Sequence, residues 1–262
     1  MFGLFDYSKL MPLAESNKEV YKVGEPFPHI VIDQAANESR LQMIVDAFPK
    51  PQDLSWWKYD NVFEKKLAFD KVEELPAPIK LALAEFNSAP FIKFLETVTG
   101  ISGLIPDHNY AGGGLHQILP GGKLDVHADF NVLTHQKLRR RINAILYLNQ
   151  NWERDWNGHL ELWDKEMTGC KVALAPIFNR LVIFNTDDTS FHGHPKPLLC
   201  PDGVTRKSLA LYYYTSDLTQ EIMDNRHSTL YQRRPEDPLS EEVERLRAQR
   251  AQGRIQDMTT KA

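Results

Sequence analysis

Leu124-Asp125-Val126-His127-Ala128-Asp129-Phe130 opens a series of short apolar runs that continues with INAILYLN (142–149), HLELW (159–163), RLVIF (180–184) and SLALYYYT (208–215). Branched and aromatic residues fill each run and Gly, Pro, Asn and Asp bound it, the pattern of strands ended by turns. No helical stretch intervenes, so these runs predict an antiparallel sandwich, jelly roll or barrel in preference to parallel strands joined by helices. Upstream, FPHIVI (27–32) reads as extended, whereas residues 77–86 and 91–99 repeat apolar side chains three and four apart, as helices that pack one face on a larger body. The expected fold class is mainly β with flanking helices. Residues 1–114 are expected to form a mixed, helical buttress packed on the core, 115–216 the β core, and 217–262 a polar appendage with one helix-like piece, SEEVERLRAQR (240–250); together they make a single catalytic domain.

Composition narrows the function classes. Hydrophobic residues make up 42% and charged residues 25% of the 262, ordinary for a chain that buries a sizeable core. Against 31 Lys and Arg stand 35 Asp and Glu, a net charge of −4 that offers no basic excess to attract nucleic acid. Cys170 and Cys200 are too few for a disulfide scaffold or a four-Cys zinc site, which fits a reducing cytosol. No apolar run approaches the roughly 20 residues that span a bilayer, so a cytoplasmic protein without a membrane partner is expected.

On a strand, alternation sends Asp125, His127 and Asp129 to one face. His127 and Asp129, two residues apart, then offer two ligand groups, and a second imidazole would complete the two-His-one-carboxylate set of non-haem Fe(II) oxygenases. His192, in TSFHGHP (189–195), is the candidate, with His194 a rival at the same strand spacing. Such a set leaves adjacent positions for a bidentate 2-oxo acid and for dioxygen. A His-x-Asp pair by itself arises often by chance. Its context comes from Arg206 and Ser208, which alternation puts on one side of a strand. A planar guanidinium holds a carboxylate through two parallel hydrogen bonds and a hydroxyl adds a third, as the far end of 2-oxoglutarate requires.

The order of these pieces resembles the Fe(II)/2-oxoglutarate-dependent dioxygenases, within them the prolyl-4-hydroxylase-like group. It runs His127-x-Asp129, Tyr147-Leu148-Asn149 with Trp152 close behind, Gly158-x-Leu160, Asn179-Arg180-Leu181 with Phe184, His192 and Arg206, across residues 115–215. The resemblance implies a double-stranded β-helix, a distorted jelly roll of the cupin kind. It selects His192 over His194 and implies Tyr147 as a hydroxyl donor to the carboxylate held by Arg206. It also implies Fe(II), 2-oxoglutarate and O2 as cofactors, with ascorbate as a stimulant, and a small-molecule or peptidyl substrate. Where relatives often offer a Tyr to the co-substrate upstream, this chain has His116-Gln117, and Gln117 is the expected substitute.

Two further departures, a basic connection at Thr134–Arg141 and an extra turn at Lys196–Thr205, fall where substrates usually enter and leave the substrate class open. Asp125 is expected to stay solvated or to support a ligand, because a fourth ligand would close the site. His116, His135 and His159 are expected at the surface, and the tryptophans at 56, 57, 152, 156 and 163 in cores. Gly112-Gly113-Gly114 reads as a turn into the first core strand. Two other function classes compete: a non-enzymatic jelly-roll binding module, and a cupin-type metalloenzyme that uses no 2-oxoglutarate. Oligomeric state is not encoded in any of these features.

Overall fold

A computed structural model describes residues 3–252 and the backbone of 259–261. The first part holds α1 (Tyr7–Lys22), β1 (His29–Asp33), α2 (Glu38–Asp46), β2 (Trp57–Asp60), β3 (Glu64–Phe69), α3 (Ala77–Phe86), α4 (Ala89–Thr99) and β4 (Ile105–Pro106). There follow β5 (Gly114–Ile118), β6 (Lys123–Ala128), β7 (Val132–Leu133), β8 (Leu138–Tyr147), β9 (Leu160–Trp163), β10 (Cys170–Leu174), β11 (Arg180–Asn185), β12 (His192–His194) and β13 (Arg206–Thr215). The last part holds α5 (Gln220–Asp224), β14 (Leu230–Tyr231), α6 (Glu241–Ala251) and β15 (Thr259–Lys261).

The named strands pair antiparallel, and ten of them form one path, β1-β11-β8-β13-β5-β3-β6-β12-β9-β10. Side chains from β8 and β13 and from β9 and β12, distant along that path, line a common cavity, so the sheet curls upon itself into a jelly-roll core. The mainly β fold with flanking helices is as the sequence predicts. Strand periodicity explains the layers. On β8, Ile142, Ala144 and Leu146 face the helices while Asn143, Ile145 and Tyr147 face inward; on β13, Leu209, Leu211 and Tyr213 face the helices while Arg206, Ser208, Ala210 and Tyr212 face inward. The outer set packs with Leu10, Phe86, Phe91 and Phe94 of the helices, all buried. Each such side chain contributes roughly 1.5–3 kcal/mol of transfer free energy.

Strands β1 and β3 from the first 114 residues lie within this sheet, β3 between β5 and β6. The sharp entry into β5 needs Gly114, at φ +80°, because a Cβ there would strike the Phe69 carbonyl oxygen of β3. The Thr134–Arg141 connection is a hairpin whose second half is already β8, so Arg139, Arg140 and Arg141 sit on a strand. The polar segment after residue 216 returns to the core. β3 pairs with Lys123 and Leu124 of β6, and β14 pairs with His127 and Ala128. The tail thus covers open strand edge, and Tyr231 stacks on Phe63 at 4.5 Å.

β12 packs tightly on β6. A Cβ on Gly193 would lie 2.8 Å from the Leu124 carbonyl oxygen and 2.9 Å from that of Asp125. Gly193→Ala is therefore expected to lower stability by about 1–3 kcal/mol in chemical denaturation, since backbone must move to admit the methyl. An unchanged denaturation midpoint would show that β12 is not seated this closely.

Candidate metal site

β12 meets β6 with His192 opposite His127 and His194 opposite Leu124, so three residue steps on β6 match two on β12. The extra residue is a bulge at Asp125-Val126. It turns both Leu124 and His127 toward the cavity and sends Asp125 outward, to Lys123 at 2.7 Å. The expectation that Asp125 shares a face with His127 and Asp129 is thereby corrected.

The Nε2 atoms of His127 and His192 and the Asp129 carboxylate converge, with one ligand atom from each lying within 4.8 Å of the others. His127 Nε2 is 3.6 Å from Asp129 Oδ1 and His192 Nε2 is 3.5 Å from Oδ2. These separations exceed ordinary hydrogen bonds and lie near the roughly 3 Å between adjacent ligands on an ion with bonds of about 2.1 Å. Both rings are oriented from behind. His127 Nδ1 lies 2.8 Å from the Asp125 carbonyl oxygen and His192 Nδ1 lies 2.9 Å from that of Ser190. A carbonyl only accepts, so each Nδ1 carries the proton and each Nε2 presents its lone pair to the gap. Burial and the neighbouring His127 push His192 down to about 4, which keeps it neutral as ligation requires.

Asp129 is gripped by residues that sequence reading missed. Arg140 Nη2 donates to Asp129 Oδ2 at 2.9 Å, and Asn143 Nδ2 donates to the same oxygen at 2.8 Å. Arg140 also donates to Asn143 Oδ1 and lies 3.6 Å from the Tyr212 ring centroid and 4.5 Å from that of Phe130. Burial pushes the Asp129 carboxyl upward, but Arg140, with His192 and His127, more than reverses this and holds it well below the usual carboxylate range. Asn143 was legible, since it shares the inward face with Tyr147 four residues on. Arg140 was not. β13 pairs Tyr213 with Ile142 but Tyr214 with Arg140, so a bulge at Arg141 turns Arg140 inward against simple alternation.

At the other end of the same cavity Arg206 is 5% exposed. Its Nε donates to the Gly158 carbonyl oxygen at 2.8 Å and its Nη2 to Tyr147 Oη at 3.1 Å. Ser208 lines the cavity beside it and faces Tyr147 across the β8–β13 ladder. No ion pair joins Arg206 to a carboxylate among the described residues. Gln117 is placed elsewhere. Its neighbours His116 and Ile118 line the cavity, while the Gln117 amide lies on the opposite face of β5 and donates to Thr205 Oγ1 at 2.9 Å. His116, expected at the surface, is therefore the β5 imidazole inside the cavity, its Nε2 3.0 Å from the Gly112 carbonyl oxygen. His135 is exposed, and His159 lines an outer cleft. Lys66 of β3 also lines the cavity, ion-paired with buried Glu64 at 3.0 Å.

Residues 113–214 match the model of the 2OG-Fe(II) oxygenase superfamily. The mouse (Mus musculus) protein named prolyl 3-hydroxylase OGFOD1 is 34% identical over 85 residues, which are 31% of this chain and 15% of that protein. The match thus spans a small part of that relative's length. A prolyl hydroxylase from Trichoplax adhaerens, solved with a hypoxia inducible factor peptide fragment, superposes with a TM-score of 0.55 at 17% identity, covering 79% of this chain and 91% of that one. A prolyl-4-hydroxylase from Pseudomonas putida gives 0.53 at 13% identity over 78% of this chain and all of that one. These likenesses agree with the double-stranded β-helix core and with the family resemblance drawn from motif order.

Proposed function

We propose that the domain at residues 113–214, matched to the 2OG-Fe(II) oxygenase superfamily, makes this chain an Fe(II)- and 2-oxoglutarate-dependent dioxygenase that hydroxylates an organic substrate with O2 and releases succinate and carbon dioxide. The observation that carries this is one cavity bordered at one end by three convergent ligand atoms and at the other by a buried guanidinium without a carboxylate partner among the described residues. A buried charge left uncompensated is costly, by several kcal/mol after relaxation. A diacid that chelates an ion at one end and reaches Arg206 with the other removes that cost.

His127 Nε2, His192 Nε2 and an Asp129 carboxylate oxygen would hold the iron, and the donor set fits it, with two neutral imidazoles and one carboxylate on one side. Asp129 Oδ2 already accepts from Arg140 and Asn143, which leaves Oδ1 the freer donor. When bound, iron supplies the redox chemistry that couples 2-oxoglutarate decarboxylation to substrate oxidation. The chain's own part is orientation. Arg206 binds the distal carboxylate in a charge-assisted pair, and Tyr147 and Ser208 add hydroxyl donors.

We assign residues 115–216 as the catalytic core, 1–114 as a buttress that also lends strands to it, and 217–262 as a polar appendage, of which Leu230–Tyr231 covers the β6 edge. For the substrate we propose a peptidyl proline: the mouse relative and both solved neighbours are named prolyl hydroxylases, and the Trichoplax structure holds a peptide fragment. No helix among the described residues is long and apolar enough to cross a membrane, and Cys170 and Cys200 are both free, which supports a cytoplasmic setting. Loaded with Fe(II) and given 2-oxoglutarate and ascorbate without substrate, the protein is expected to form succinate slowly, and His127→Ala to form none above background. Equal succinate from the two proteins would end this reading.

A further inference from the structure

β12 places two imidazoles on the cavity side, His192 and His194, with Gly193 between them set against the β6 backbone. His194 is not among the three groups that converge as ligands. It is 3% exposed, and neither ring nitrogen has a hydrogen-bond partner among the described residues. The other three imidazoles of the cavity, His116, His127 and His192, each meet a backbone carbonyl. Buried polar atoms are as a rule satisfied, so an unpaired buried imidazole that lines a cavity calls for a partner from outside the chain, a water, an ion or a ligand.

The ring's position says which part of a ligand it meets. His194 lines both the metal cavity and an outer cleft of about 620 Å³, to which Gly158, Trp152 and Lys196 also contribute. Gly158 is the residue whose carbonyl accepts from Arg206 Nε, and a Cβ on it would come within 3.1 Å of Arg206 Cδ. His194 and Arg206 therefore border one stretch of wall. A carboxylate presents about four acceptor sites. A ring N–H of His194 on the same wall can share those sites with Arg206, Tyr147 and Ser208.

We propose that His194 is a further co-substrate-binding residue whose ring N–H donates to the distal carboxylate of the 2-oxo diacid, beside Arg206 and Tyr147. This rests on the oxygenase reading above and adds to it a fourth group at the anchoring end. Redox-silent Mn(II) on the full-length chain allows binding to be measured by calorimetry without turnover. The ligands are 2-oxoglutarate and 2-oxopentanoate, which lacks the distal carboxylate.

His194→Leu, apolar and of similar size, is expected to bind 2-oxoglutarate about tenfold more weakly, the effect of one hydrogen bond to a charged group, and to bind 2-oxopentanoate as the wild type does. His194→Gln, which restores an N–H donor, is expected to recover most of the loss. The apo protein's melting temperature should be unchanged or raised in His194→Leu, because an unsatisfied polar ring has been removed. Wild-type affinity for 2-oxoglutarate in His194→Leu, with Arg206→Ala still weakened, would overturn the role of His194 alone. Equal weakening toward both ligands would also overturn it. Wild-type protein that binds no 2-oxoglutarate would overturn the oxygenase reading itself.

Discussion

Replacing Arg206 with Ala is expected to raise the 2-oxoglutarate concentration needed for half-maximal turnover by about a hundredfold or more while leaving iron binding intact. Truncating one partner of a buried, hydrogen-bonded charge pair costs roughly 2–5 kcal/mol, and each 1.4 kcal/mol is a factor of ten. The interaction is bought in advance by the fold: the guanidinium is already buried and already oriented by Gly158 and Tyr147, so the diacid meets a preset partner. Arg206→Lys should recover little, because an ammonium on a flexible stem cannot keep the Gly158 bond and also present two parallel donors. Succinate formation against 2-oxoglutarate concentration reads the effect directly. A jelly-roll binding module, or a metalloenzyme that does not use 2-oxoglutarate, predicts no change in any cofactor requirement.

The second large effect falls on stability. Arg140→Leu removes the buried cation that neutralises Asp129 and leaves Asn143 as the remaining hydrogen-bond donor to Oδ2. Breaking a buried ion pair from one side costs about 3–5 kcal/mol, because the surviving charge stays buried without compensation. The apo variant should therefore melt well below the wild type. A divalent ion bound by His127, Asp129 and His192 brings positive charge back to the same carboxylate. Binding to the folded state stabilises it by about 2.7 kcal/mol at a hundred times the dissociation constant. Adding Mn(II) should thus raise the melting temperature of Arg140→Leu by more than it raises that of the wild type, provided both are saturated. An apo variant as stable as the wild type would show that Arg140 does not carry the Asp129 charge.

Much of this arrangement is written in periodicity. The inward faces of β8 and β13 follow from strict alternation, which is why Tyr147, Arg206 and Ser208 are legible from sequence. The α3 range matches the apolar three-and-four pattern of residues 77–86. α4 begins two residues before its pattern does, because Pro90 takes the first turn, where its missing N–H costs nothing. The misreadings of Asp125 and Arg140 have one physical origin. An extra residue in β6 turns Asp125 out, and an extra residue in β8 turns Arg140 in. A bulge reverses the facing of everything on its far side, and a single sequence carries little sign of where one falls. Long-range pairing hid the rest. Nothing local in Glu64–Phe69 says that β3 inserts between β5 and β6 and brings Lys66 to the cavity, or that Leu230–Tyr231 pairs with the ligand strand. Gln117 faces away from the cavity for the same reason, since its facing depends on the β3–β5–β13 register.

The central claim is that one iron ion sits among His127, Asp129 and His192 with a diacid spanning to Arg206. Crystals grown without oxygen in Fe(II) and 2-oxoglutarate, measured at the iron absorption edge, test it most directly. One anomalous peak bonded to both Nε2 atoms and an Asp129 oxygen, with the far carboxylate on Arg206, is the predicted result; a peak elsewhere, or a diacid that does not reach Arg206, would contradict it.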